Sequence, residues 1–182
     1  MGNEPDRRSE RSTTLVLMGV AGAGKTAVMA ALAERLGWAT AEGDEFHSPG
    51  NVAKMRSGEP LTDDDRRPWL EALAAWIGER EAANSGAGED AIVSCSALRR
   101  AYRDLLRRGH PSVRFVHLVA PTPTLAARIR ERRGHYMPPA LLASQIETLE
   151  PLGADEPGTV VSTDAPLPEV VDTILAALQA RR

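Results

Sequence analysis

A single cysteine, Cys95, stands among 182 residues. An internal disulfide is excluded, and the chain suits a reducing compartment. Excess positive charge is missing as well: 22 lysines and arginines face 25 aspartates and glutamates, for a formal net charge of −3. No global basic field exists to draw nucleic acid, so no nucleic-acid partner is expected. No apolar run approaches the ~18 residues of a membrane span, and no membrane partner is expected either. The opening stretch MGNEPDRRSERS is polar and charged, without the apolar core of a signal peptide. Residues 1–12 therefore read as a disordered tail, with the cytoplasm as the expected location. Internal repeats and low-complexity tracts are absent. Residues 13–182 remain as one domain, long enough for one buried core.

What is present alternates. Apolar, β-branched runs predict strands at Thr14–Met18, Trp38–Ala41, Ala91–Ser94, Arg114–Val119 and Thr159–Ser162. Between them, apolar residues recur at helical spacing: Met29, Leu32 and Leu36; Trp69, Leu73, Trp76 and Ile77; Leu98, Tyr102, Leu105 and Leu106; Leu125 and Ile129. A last helix carries Val170, Val171, Ile174, Leu175 and Leu178. Asp64 or Asp65 can cap one helix and Thr122 another, with Pro123 in the first turn, where a missing N–H costs nothing. Gly37 and Gly109 stand where helices should stop. Ala83–Asp90 has the composition of a surface loop. Strand–helix alternation of this kind implies an α/β fold, a five-stranded parallel sheet with helices on both faces. Leu15–Met18 is continuously apolar, as a strand buried on both faces should be.

The stretch GVAGAGKT, Gly19 to Thr26, lies between the first strand and the first helix. Gly22, Gly24 and Ala27 fit a dinucleotide fingerprint, and Glu42 or Asp44 supplies the acid such a site wants about 20 residues on. Gly19, Gly24, Lys25 and Thr26 fit the longer phosphate loop of nucleotide triphosphatases. Both readings put an anion on a helix N-terminus, so the glycines cannot decide. Lys25 and Thr26 can. An ammonium there reaches the β- and γ-phosphates, and the adjacent hydroxyl ligates Mg²⁺, while a dinucleotide needs neither. The candidate nucleotide site is Gly19, Val20, Ala21, Gly22, Ala23, Gly24, Lys25, Thr26 and Ala27.

EGDEFHSPGNVAKM follows the second strand, at the carboxyl edge where open α/β sheets bind ligands. It gathers Glu42, Asp44, His47, Asn51 and Lys54. Asp44 is placed to orient or deprotonate an attacking hydroxyl, and Glu42 to hold Mg²⁺ through water.

GVAGAGKT, EGDEFHSPGNVAKM, SGEPLTDDDRRPWL, CSALRRAYRDLLR, RGHYMPPALLASQIETLEP and GADEPG together resemble the gluconate kinases, the thermoresistant-type gluconokinases. These are small P-loop kinases related to shikimate and adenylate kinases, and the likeness runs from about Leu15 to Leu178. It implies a P-loop fold with a helical lid over about residues 128–150. It also implies ATP and Mg²⁺, phosphorylation of D-gluconate to 6-phosphogluconate, and a homodimer. Alternatives are a kinase of this fold with another acceptor, such as shikimate, and a nucleotide-binding regulatory module.

Gluconate is a polyol with a carboxylate, so its site needs hydroxyl partners and a cation. Arg99 and Lys54 are the first candidates for the carboxylate and Arg103 the third, beside the N-terminus of the helix after Cys95. Trp69 and Trp76, seven apart, read as core. In AARIRERRGHYM, Arg128 and Arg132 share a helix face. The resemblance makes them lid arginines able to neutralise the transferred phosphoryl group, with Gly134 a hinge and His135 turning toward donor or acceptor. It also puts Ala154 to Pro157 near the adenine edge. One departure is Glu42-Gly43-Asp44, where shikimate-kinase relatives carry Asp-x-Asp. Another is the third strand, which ends without an acid, so Mg²⁺ is expected on Thr26, with Glu42 acting through water.

Overall fold

The computed structural model describes residues 12–83, 88–131 and 139–180. Five strands form one parallel sheet in the order β2-β3-β1-β4-β5: β1 Thr14–Met18, β2 Ala39–Glu42, β3 Ala91–Ser94, β4 Val113–Val119 and β5 Gly158–Ser162. Each lies within a residue or so of the run that predicted it. β1 holds the centre, flanked by β3 and β4. All five of its residues are buried, which is why its sequence does not alternate.

The side chains of β1 supply two cores. Leu15 and Leu17 point to one face, where they meet Val28, Met29 and Leu32 of α1 (Lys25–Leu36) and Val170, Val171 and Ile174 of α7 (Leu167–Gln179). Leu125 of α5 (Thr122–Glu131) and Leu142 of α6 (Pro139–Thr148) join that cluster. Val16 and Met18 point to the other face, against Trp69, Leu70, Leu73 and Ile77 of α3 (Asp63–Ala82) and Tyr102 and Leu106 of α4 (Arg100–Arg107). The period of two along the strand thus divides the core between the two helix layers.

Helix ends follow local chemistry. Gly37 closes α1 in the left-handed region at φ 69°, its N–H on the Ala33 carbonyl. α3 starts earlier than Asp64 or Asp65 would have it. Thr62 is the N-cap; its hydroxyl accepts from the Asp65 N–H, and the Asp65 carboxylate accepts from the Thr62 N–H. Reciprocal capping needs an acid three residues after the cap, so Asp65 serves as the far half of the box. Pro68 fits in the following turn. Among the described residues no helix is long and apolar enough to cross a membrane.

Candidate active site

The phosphate loop turns from β1 into α1 at the carboxyl edge of the sheet, beside the loops that follow β3 and β4. Gly19 has φ 138°, and a Cβ there would lie 2.6 Å from the Leu118 carbonyl oxygen of β4. Gly22 has φ 78° and would meet the Leu125 carbonyl oxygen at 2.7 Å. These two positions press the loop's backbone onto β4 and α5, so glycine is required for space as well as dihedral angle. Gly24 caps α1 at φ 90° with nothing within 4 Å of its would-be Cβ, and no side chain caps the helix. The N–H groups of the first turn therefore open toward solvent, where an anion is favoured. The Lys25 ammonium arches back over the loop, donating to the carbonyls of Gly19 at 2.9 Å and Val20 at 3.1 Å. Val20 and Ala23 are buried and shape the loop from beneath, while Thr26 and Ala27 are exposed on the first turn of α1.

Glu42 ends β2 opposite Ser94 of β3, and its carboxylate accepts the Ser94 hydroxyl. A Cβ on Gly43 would lie 2.2 Å from the Ser94 carbonyl oxygen, so the chain crosses the end of β3 at closest approach before presenting Asp44. Asp44 is exposed on a short 3₁₀ turn, Gly43–Phe46. Burial pushes the Cys95 thiol up to about 12, against a backbone N–H bond from Ala97, and leaves it unreactive. The turn bearing Asp44 follows β2 and the loop bearing Lys25 follows β1, so both stand at the carboxyl edge of the sheet with β3 between them.

His47 lies face to face with Trp69, ring centroids 4.2 Å apart, and its Nδ1 is 3.3 Å from the Asn51 amide nitrogen. Burial holds its pKa below the ordinary histidine value, with Asp44 pulling it up and Arg66 pushing it down. It is neutral at neutral pH and can exchange hydrogen bonds with a hydroxyl. Asn51 opens α2 (Pro49–Arg56), buried, and donates to the Asp65 carbonyl at 2.8 Å. Lys54, farther along α2, binds both Asp65 carboxylate oxygens at 2.9 Å. Its positive charge is thus largely matched inside the protein.

The arginines are sorted by the fold. Arg99, at the N-cap of α4, reaches Asp63 at 3.1 Å with its guanidinium carbon 5.9 Å from the centre of the Tyr102 ring. Arg66 comes over the same ring at 5.7 Å and binds the Leu61 carbonyl at 2.5 Å. The Tyr102 hydroxyl donates to Asp63 at 2.5 Å. Asp63 is held below the usual carboxylate range by that hydroxyl first, with Arg99, Arg66 and Arg67 adding to it. Arg66 therefore lies on Tyr102 with its charge felt at His47, a cation that the run DDDRR did not single out because it read as a helix start.

Arg103 is not available to a substrate, contrary to expectation. Its side chain and that of Glu156 are each about 1% exposed; Nε donates to Glu156 at 2.6 Å and a terminal nitrogen to the same carboxylate at 2.8 Å. The remaining donors go to the carbonyls of Ala97, Leu98, Glu150 and Pro151. All five N–H groups are used within the protein.

Ala154 to Pro157 also falls away from the expected adenine edge. The segment precedes β5, at the strand's amino end, where Pro157 accepts from Phe115, Asp155 pairs with Arg100 at 2.6 Å and Glu156 with Arg103. The carboxyl end of β5 is the one beside the phosphate loop. There Arg128 donates to the Thr163 hydroxyl at 2.9 Å, the Thr163 carbonyl at 2.6 Å and the Gly22 carbonyl at 3.4 Å. Arg132, Gly134 and His135 lie outside the described residues.

Trp69 is core, as its spacing predicts, and also a wall of the site, donating its indole N–H to the Gly43 carbonyl at 2.6 Å. Trp76 is half-buried under Arg80, whose guanidinium carbon is 5.3 Å from the ring centre. Among the described residues no cluster of three or more histidines, cysteines or acids forms a metal cage. The donor set that remains, an exposed Thr26 hydroxyl and the Ser94-held Glu42, fits a cation carried mainly by phosphates and water.

Comparisons with known proteins identify relatives of the whole chain. The family described as AAA domain matches residues 15–152. A gluconokinase of Gluconobacter oxydans is 46% identical over 166 residues, covering 91% of each chain. A solved gluconokinase of Sinorhizobium meliloti superposes with a TM-score of 0.82 at 43% identity, covering 93% of each chain. An unliganded sugar kinase of a Janibacter species superposes at 0.84 with 45% identity, covering 92% of this chain and 95% of its own. Likeness of that depth, end to end and in three dimensions, settles the kinship: the chain belongs to the gluconokinase family.

Proposed function

We propose that this protein transfers the terminal phosphoryl group of ATP to a hydroxyl of D-gluconate, giving 6-phospho-D-gluconate. The observation that carries the reading is the opposition of two sites across the carboxyl edge of one sheet. Lys25 and the glycine loop follow β1 and Asp44 follows β2, with β3 between them; His47, Arg66 and Arg99 gather with Asp44. Family membership supports both the donor and the acceptor.

Roles follow from the chemistry of each group. The loop N–H groups and Lys25 hold the phosphates and stabilise charge that shifts toward the leaving oxygen. Asp44 orients the attacking hydroxyl and takes its proton. His47, neutral, hydrogen-bonds a neighbouring hydroxyl. Arg66 and Arg99 bind the carboxylate of the sugar acid, with Lys54 set behind them on Asp65. Arg128 braces the phosphate loop against Thr163, on the side where the nucleotide base enters. Thr26, with Glu42 through water, would hold Mg²⁺, which when bound neutralises charge on the phosphates. The stretch of about residues 128–150 is read as the lid, and Arg132 and His135, which lie outside the described residues, as its contributions to donor and acceptor. Phosphoryl transfer asks for little covalent chemistry from the protein, so placement and field account for the rate.

The test is ADP release coupled to a dye or nucleotide readout, with gluconate, shikimate and a nucleoside monophosphate offered in turn. Gluconate alone is expected to drive turnover. Turnover with another acceptor but not gluconate overturns the substrate, and ATP binding without acceptor-dependent ADP release overturns the enzyme.

A further inference from the structure

Helix α6 sends one side chain into the phosphate loop. The Gln145 Oε1 accepts the Ala21 N–H at 2.7 Å, a contact between residues 124 apart in sequence. The same helix is fixed at both ends of the active site. Leu142 packs in the core cluster that contains Val20 and Ala23 of the loop. Just beyond its end, the Glu150 N–H donates to the Leu98 carbonyl at 2.8 Å, and the Glu150 carboxylate accepts the Arg100 N–H at 2.6 Å. α6 therefore spans from the phosphate loop to the turn that bears Arg99, and Gln145 is its contact on the donor side.

The end of the loop that Gln145 touches is identified by Lys25. A phosphate-loop lysine reaches the β- and γ-phosphates. Here its ammonium lies on the carbonyls of Gly19 and Val20, immediately before Ala21. Ala21 and Gln145 are thus at the terminal-phosphate end of the loop. Within a carboxamide the nitrogen is about 2.3 Å from the oxygen, so the Gln145 Nε2 lies within roughly 5 Å of the Ala21 nitrogen. Among the described residues nothing accepts from that Nε2. A carboxamide is also the side chain this place demands. It satisfies the Ala21 N–H as an acceptor and keeps a donor beside it, whereas a carboxylate would add negative charge where a triphosphate must bind.

We propose that Gln145 is a donor-site residue that distinguishes the triphosphate from the diphosphate: Oε1 fixes the mouth of the loop through Ala21, and Nε2 donates to an oxygen of the terminal phosphoryl group. The inference rests on the kinase reading above and deepens it. It explains why α6 is held against the phosphate loop, and it gives the SQIETLEP stretch a function beyond packing.

The test is calorimetric titration of the full-length protein with ADP and with a non-hydrolysable ATP analogue, alongside steady-state kinetics with gluconate. Wild type is compared with Gln145→Glu and Gln145→Ala. Gln145→Glu keeps the acceptor for Ala21, so its melting temperature is expected to match wild type. Its affinity for the ATP analogue is expected to fall about tenfold or more, and its affinity for ADP by less than about threefold. Gln145→Ala is expected to narrow the same preference, with the ATP KM raised and the gluconate KM little changed. Unchanged analogue affinity in Gln145→Glu, or equal losses for both nucleotides, overturns the proposal, because a purely structural contact predicts one or the other. If wild type itself binds no ATP, the kinase reading fails instead, so the two failures are distinguishable.

Discussion

Trp69 holds the Gly43 carbonyl with its indole N–H at 2.6 Å, and so ties α3 to the turn that presents Asp44. The same ring carries His47 stacked on its face. One buried aromatic thus sets the position of two groups on the acceptor side, each by a different part of the indole. Trp69→Phe keeps most of the packing and loses the donor, leaving the Gly43 carbonyl buried without it. Equilibrium unfolding in urea should show a loss of about 1–2 kcal/mol. Steady-state kinetics should show a larger rise in the KM for gluconate than for ATP.

Arg103 and Glu156 make the second strong prediction. Two charges at about 1% exposure persist because each meets the other and the arginine meets four carbonyls besides. Arg103→Met leaves the Glu156 carboxylate buried with only the Gly153 N–H. The expected loss in denaturant unfolding is about 3–5 kcal/mol, and Arg103→Met with Glu156→Leu should recover much of it. At a temperature where the double variant is folded, its KM for gluconate should stay within about twofold of wild type, since Arg103 binds no substrate.

Acid stability depends on Asp65. The Thr62 N–H, then the Lys54 ammonium and the Thr62 hydroxyl, hold its carboxyl down from 3.8 to about 2. A carboxylate depressed on folding adds stability above its unfolded pKa and loses it as pH falls through the folded one. The melting temperature of Asp65→Asn should therefore lie below wild type at neutral pH, and the gap should close between pH 3.8 and about 2. Asp155, held to about 2 by Arg100, contributes in the same window in both proteins and does not affect the difference.

Local chemistry made the donor side legible. Gly19, Gly24, Lys25 and Thr26 fall within eight residues, so their joint role is written in one stretch of chain. The strands were legible for a related reason: a parallel sheet buried on both faces leaves continuous apolar runs such as Leu15–Met18. The acceptor side depends on contacts that spacing does not record. Arg66 acquires its place from Tyr102, 36 residues on, and Trp69 from Gly43, 26 residues back. Arg103 reads as a cation free for a substrate carboxylate until its partner, 53 residues away, is brought against it. Ala154 to Pro157 is put near the adenine by the resemblance alone; it precedes β5, and a parallel sheet turns that strand's amino end away from the phosphate loop.

In the proposed mechanism the Asp44 carboxylate directs the sugar-acid hydroxyl onto a phosphoryl group held by Lys25 and its loop. Gluconate-dependent ADP release by Asp44→Asn, a near-isosteric change at an exposed position, tests it most directly. The expected kcat is lower by roughly 10²–10⁴-fold, with ATP affinity and melting temperature close to wild type. Turnover at the wild-type rate in the folded variant would contradict it.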